Sequence, residues 1–149
     1  KTPAPGKLIM TNGWSSMGFG IPAAISAQLA MPAATVVCLT GDGGFLMMAG
    51  ELVTALRNNL PIIGVVFSDG ELNLIKIKQS WKELKPYGTQ IYSGDLFKAD
   101  IFLGIRVLTV DSEEKMRKAV ITALSMDELV IINAIIDPDD YKWLIVRPK

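Results

Sequence analysis

Histidine is absent from this sequence, which removes the commonest general base near neutral pH and the commonest transition-metal ligand. Any chemistry must come from carboxylates, backbone groups or something bound. The single cysteine, Cys38, has no partner for a disulfide and stands inside the apolar run TVVCL, where it reads as a small core residue. That suits a reducing, cytoplasmic compartment. Net charge is missing too: 15 basic and 15 acidic side chains cancel, so nothing marks a nucleic-acid or anionic-membrane partner. No apolar run reaches the roughly 18 to 20 residues of a membrane span, and the opening KTPAPGK lacks a signal peptide's apolar stretch. The expectation is a soluble protein. A P-loop motif is also lacking, which excludes the P-loop nucleotide hydrolases.

What is present is apolar: 50% of 149 residues, enough for one domain with a real core. Residues 1–149 are read as that single domain. The first residue is Lys1 and residues 1–6 read as an extended linker, so a piece of a longer polypeptide is expected. Short runs rich in Val and Ile, at 7–10, 35–40, 62–68, 106–110 and 129–136, alternate with helical patterns near 18–30, 46–58, 72–82, 95–103 and 112–125. Runs apolar on both faces belong in a parallel sheet. The alternation predicts a three-layer α/β fold, a doubly wound parallel sheet with helices on both faces, whose sites lie beyond the carboxyl ends of the strands. The helix at 112–125 opens with DSEEK, a cap followed by first-turn acids, and carries Met116, Val120 and Leu124 on one face.

Two glycine motifs compete for attention. GFGIPA, from Gly18 to Ala23, matches a dinucleotide fingerprint, but TNGWSS separates it from any strand, Pro22 interrupts it, and no acid ends the next strand. Tight packing of a helix on the sheet explains it better. GDGG, from Gly41 to Gly44, follows the second apolar run directly. As a bare turn, Asp-Gly at a strand end is ordinary. Three glycines around Asp42, though, leave the amides of Gly43 and Gly44 unshielded at the entrance to a helix that begins near Phe45, a setting that favours an anion. A carboxylate there would repel phosphate unless a divalent cation lay between them, so the combination suggests a metal diphosphate. Asp69, at the end of the next run, falls at the same sheet edge. Two hard oxygen ligands and a backbone carbonyl suit Mg2+, with Ca2+ less natural beside phosphates.

GDGGFLM, followed by ELVTALRNNLPIIGVVFSDGELNLIKIKQ, resembles the diphosphate-binding module of thiamine diphosphate-dependent enzymes of the acetolactate synthase, pyruvate oxidase and 2-oxo acid decarboxylase group. The resemblance runs from about Gly13 to Asp137. It rests on a G-D-G followed by an Asn or Asp at the distance that separates Asp42 from Asp69. Carried over, it implies thiamine diphosphate and Mg2+ as cofactors. Asp42, Asp69 and the backbone carbonyl of Glu71 would be metal ligands, and Gly41, Gly43, Gly44 and Phe45 would lie at the diphosphate. It makes Met17 the apolar wedge that bends the cofactor, although Met17 taken alone reads as core packing, and gives the Ser15 carbonyl to the cofactor's amino group. Leu72, Leu74 and Ile75 would border the reacting carbon, while Lys76, Lys78, Lys82 and Lys85 read as a solvated face.

The activity implied is decarboxylation of a 2-oxo acid such as pyruvate, with transfer of the acyl unit to an acceptor. The glutamate that starts proton transfer in that family lies on a pyrimidine-binding domain of the same or a neighbouring subunit. No residue here corresponds to it, so this chain alone is expected to be inactive. A homodimer or homotetramer is expected. The rival readings are a short subunit of a split decarboxylase and a non-catalytic relic kept for assembly. Asp69 departs from the commoner Asn, and no tryptophan stands at Ile77 or Lys78, where biosynthetic relatives carry one.

Overall fold

The computed structural model describes residues 5–140. Most of the linker expected at residues 1–6 therefore lies outside the described residues. In chain order the elements are α1 (Gly20–Ala30), β1 (Val36–Gly41), α2 (Asp42–Met48), a 3-10 turn (Ala49–Glu51), α3 (Leu52–Arg57) and β2 (Ile62–Ser68). They continue as α4 (Asn73–Trp81), β3 (Ile101–Phe102), β4 (Ile105–Val110), α5 (Glu113–Leu124) and β5 (Val130–Ile135). The strands form one sheet in the order β1-β2-β5-β4-β3. Every pairing is parallel except the short antiparallel contact of β3 with β4.

Each face carries its own core. Ile62 and Val66 of β2, with Ile131 and Val107, meet Ile21, Ile25, Phe45, Leu52 and Ala55 from α1, α2 and α3. Ile63 and Val65, with Val130 and Ile132, meet Ala119 and Ala123 of α5. This is the doubly wound α/β layering expected from strands that are apolar on both sides. Burying one such side chain stabilises by roughly 1.5–3 kcal/mol, and the near-complete burial of Val66, Val130 and Ile132 makes the middle of the sheet the rigid platform for everything at its edge. GFGIPA serves helix packing: a Cβ on Gly20 would stand 3.0 Å from the Cys38 sulfur. Beyond α3, Asn59 takes a positive φ of 49° and the Leu60 amide donates to the Ala55 carbonyl at 3.0 Å, so Asn58-Asn59 ends the helix before β2 begins.

Several expectations need correction. Residues 7–10 form no strand; Leu8, Ile9 and Met10 are each about 60% exposed, and among the described residues nothing pairs with the free side of the edge strand β1. The helix expected near 95–103 is a 3-10 turn (Lys98–Asp100) leading into β3, with Ala99, Asp100 and Leu103 in left-handed backbone. Phe97 and Phe102 are drawn instead into a three-ring cluster with Phe45, at centroid distances of 5.2 to 5.6 Å. On α5, capped by the Ser112 hydroxyl as expected, Ala119 and Ala123 take the buried face, and Leu124 is exposed.

Candidate functional site

The register sets Gly41 opposite Phe67, so β1 and β2 end side by side and their loops leave the sheet together. Asp42 is the first residue of α2, after an extended Gly41; the helix starts three residues before the expected Phe45. The reason is local. The Gly43 amide donates to Asp42 Oδ1 at 2.8 Å, so an amide read as unshielded is already engaged by the neighbouring carboxylate.

Asp42 is 4% exposed, and its other oxygen gathers the second loop. Oδ2 accepts from the amides of Asp69 at 3.2 Å and Gly70 at 2.8 Å, and from the Tyr92 hydroxyl at 3.0 Å. Asp69 in turn folds its own loop: Oδ1 accepts from the Glu71 amide at 2.9 Å and Oδ2 from the Asn73 side-chain amide at 2.7 Å. The two acids therefore meet at one loop junction. Burial, then the hydrogen bond to Asp42, pushes the Tyr92 phenol up to about 12, so it stays a protonated donor.

Every recorded donor to these two carboxylates is neutral. A buried carboxylate supported by neutral dipoles still favours a cation nearby, and three of the four oxygens accept only one recorded hydrogen bond, which leaves hard-oxygen capacity of the kind Mg2+ or Ca2+ takes. The Glu71 side chain is turned aside to Lys76 at 2.5 Å. Lys76 is thus held by an ion pair and is not simply part of a solvated face. Among the described residues no three Asp, Glu, Cys or His side chains gather into a metal group. A cation here would draw its remaining ligands from backbone carbonyls and from what it carries.

Beside this junction lies an open cavity of about 1000 Å3. Asp42, Asp69 and Glu71 line it together with Gly41, Gly43, Gly44, Met17, Leu72, Leu74 and Ile75. A Cβ on Gly43 would stand 2.9 Å from the Met17 methyl, 3.0 Å from Leu72 and 3.3 Å from Ile91, so the glycine is what lets these side chains close over the loop. Two expected residues are not among those lining the cavity. The Phe45 side chain is in the core at 2% exposure, which leaves its backbone alone for any ligand. Ser15 is exposed and its hydroxyl donates to the Thr11 carbonyl at 3.0 Å, a bond of the side chain and not of the carbonyl expected at the cofactor; its neighbour Ser16 lines the cavity. Sequence reading missed Tyr92, Thr89 and Ile91, which stand in a turn-rich stretch, PYGTQIYSGD, with no motif to mark them.

A model for the family described as thiamine pyrophosphate enzyme, C-terminal TPP binding domain, matches residues 1–134. Curated relatives include a probable acetolactate synthase large subunit of Methanococcus aeolicus, 33% identical over 93% of this chain and 23% of that protein. The acetolactate synthase isozyme 2 large subunit of Escherichia coli is 32% identical over 97% of this chain and 27% of its own length. Acetolactate synthase of Bacillus subtilis is 31% identical over 91% and 24%. The chain thus spans about a quarter of the length of these relatives.

Proposed function

Because this chain belongs to the C-terminal TPP-binding domains of thiamine pyrophosphate enzymes, we propose that it is the cofactor-binding part of an acetolactate synthase-like enzyme that decarboxylates a 2-oxo acid such as pyruvate and passes the acyl unit to an acceptor. When bound, thiamine diphosphate supplies the electron sink that such a decarboxylation needs. The chain's own residues hold and orient it. In this reading Asp42, Asp69 and the Glu71 carbonyl hold Mg2+, with the Gly41–Gly44 turn at the diphosphate. Met17, whose methyl closes over Gly43, supports the bent cofactor, while Leu72, Leu74 and Ile75 form the apolar wall that keeps water from the reacting carbon.

The observation that carries this reading is the joining of the two acids, the Asp69 amide donating to Asp42 Oδ2 at 3.2 Å beside a cavity large enough for a cofactor. No general base is assigned within the chain. Glu51 is exposed, accepts from Thr54 at 3.2 Å and does not line the cavity, so the proposal assigns the proton-transfer glutamate to a pyrimidine-binding domain of the same or a neighbouring subunit. Apolar side chains left in the open, Leu8, Ile9, Met10, Val37 and Leu39, support such a partner and a homo-oligomer. No helix among the described residues is long and apolar enough to cross a membrane; cytoplasmic residence belongs to the proposal. The test is calorimetric titration of thiamine diphosphate with Mg2+ into the full natural protein: Asp42→Ala should abolish binding, and undiminished affinity would overturn the assignment.

A further inference from the structure

After α4 the chain doubles back. The Gln79 side chain clamps the reversal, its amide donating to the Tyr87 carbonyl at 2.9 Å and its oxygen accepting from the Tyr87 amide at 3.0 Å. Residues 89–91 then run antiparallel to residues 70–72: the Leu72 amide donates to the Thr89 carbonyl at 2.7 Å, the Ile91 amide to the Gly70 carbonyl at 2.9 Å, and Glu71 bridges Gln90. This register carries Tyr92 past Gly70, where a Cβ would lie 3.8 Å from the tyrosine ring, and sets its hydroxyl 3.0 Å from Asp42 Oδ2.

The two oxygens of Asp42 are consequently unequal. Oδ2 accepts from three donors, the Asp69 and Gly70 amides and Tyr92, whereas Oδ1 accepts from the Gly43 amide alone. A carboxylate oxygen offers about two lone-pair directions; the two close donors, the Gly70 amide at 2.8 Å and the Tyr92 hydroxyl at 3.0 Å, take both on Oδ2, with the Asp69 amide longer at 3.2 Å, while Oδ1 keeps one. The distinction selects among ions. Ca2+ accepts a carboxylate through both oxygens in loose geometry, while Mg2+ demands near-octahedral single-oxygen ligation.

We propose that Tyr92 is a positioning residue of the metal site: its hydroxyl occupies the far oxygen of Asp42, so that the carboxylate offers a single oxygen and the site prefers Mg2+ to Ca2+. This rests on the reading of Asp42 as a metal ligand. Without the phenol Oδ2 keeps one close donor, the Gly70 amide at 2.8 Å, and one long one, the Asp69 amide at 3.2 Å, so removing Tyr92 opens a lone-pair direction and lets the carboxylate turn both oxygens toward an ion.

The experiment replaces Tyr92 with Phe, which keeps the ring, in the full natural protein, and titrates thiamine diphosphate calorimetrically with Mg2+ and separately with Ca2+. The ratio of Mg2+-supported to Ca2+-supported affinity should fall about tenfold, through Mg2+ loss or Ca2+ gain, the scale of one hydrogen bond to a charged group. Equal losses with both ions, or an unchanged ratio, overturn the proposal. Asp42→Ala in parallel separates the two levels. If that variant still binds with either ion, the metal-ligand reading itself fails; if it does not, an unchanged Tyr92→Phe ratio removes only the role of Tyr92.

Discussion

The most informative perturbation is a pair of substitutions at Asp42, because this one carboxylate both anchors the β2 loop and is proposed to hold the metal. Four recorded donors converge on it. Hydrogen bonds to charged groups are each worth about 1.5–3 kcal/mol, but the cavity beside Asp42 lets water replace part of what Ala would remove. A loss of about 3–5 kcal/mol, the scale of breaking one partner of a buried charged site, is expected for the local fold in Asp42→Ala. Asn differs. It can turn its carbonyl oxygen to the three donors at Oδ2, leaving its own amide against the Gly43 N–H, one opposed pair costing about 1–3 kcal/mol. Hydrogen exchange of the Asp69 and Gly70 amides reads these energies locally, since each 1.4 kcal/mol corresponds to about tenfold in the opening equilibrium. Asp42→Ala should accelerate both amides by about two to three orders of magnitude and Asp42→Asn by about one. Thiamine diphosphate binding should be lost in both, because the negative charge goes in either case. Unchanged exchange in Asp42→Ala would refute the anchoring role. Retained Mg2+-dependent binding in Asp42→Asn would refute the claim that charge holds the cation.

Other expectations are independent of that pair. Met17→Ala in the full protein should lower turnover more than cofactor affinity, since its methyl closes over Gly43 and its proposed role is to orient the cofactor more than to hold it; equal losses would count against the wedge. Phe45→Ala removes the ring shared by two of the three aromatic contacts and should cost about 3–5 kcal/mol, measurable by denaturant unfolding, with a loss under about 1 kcal/mol contradicting the packing. Burial raises the Cys38 thiol from 9.0 to about 11. The unfolded chain therefore deprotonates first, and stability should fall as pH rises between those values; Cys38→Ala should remove that part of the slope in unfolding experiments run across the same interval.

How much of this is legible in the sequence differs by element. The runs that became β1, β2, β4 and β5 are rich in apolar residues, a pattern that layers of helix on both sides of a sheet bury, so the α/β layering followed from hydrophobic periodicity, although Val37 and Leu39 leave one side of β1 open. KLIM had the same composition and failed, because a strand also needs a neighbour, and edge position is a property of the assembled sheet. Residues 95–103 misled for a related reason. Phe97 and Phe102 are placed by a three-ring cluster with Phe45, a contact reaching across more than a third of the chain, and tertiary packing overrode the local helical pattern.

The site divides along the same line. By itself the sequence determined which acids stand at the carboxyl ends of two neighbouring strands, because Gly-rich turns after apolar runs are local chemistry that one chain segment carries whole. Only the tertiary structure decided how those acids are used. It turned the Glu71 side chain to Lys76, engaged the Gly43 amide with Asp42, and brought Tyr92 from the far side of α4 onto Asp42 Oδ2. Hydrogen-bond partners of a buried carboxylate are selected by which backbone groups the packed sheet and its loops happen to aim at it, and no local pattern of residues encodes that aim.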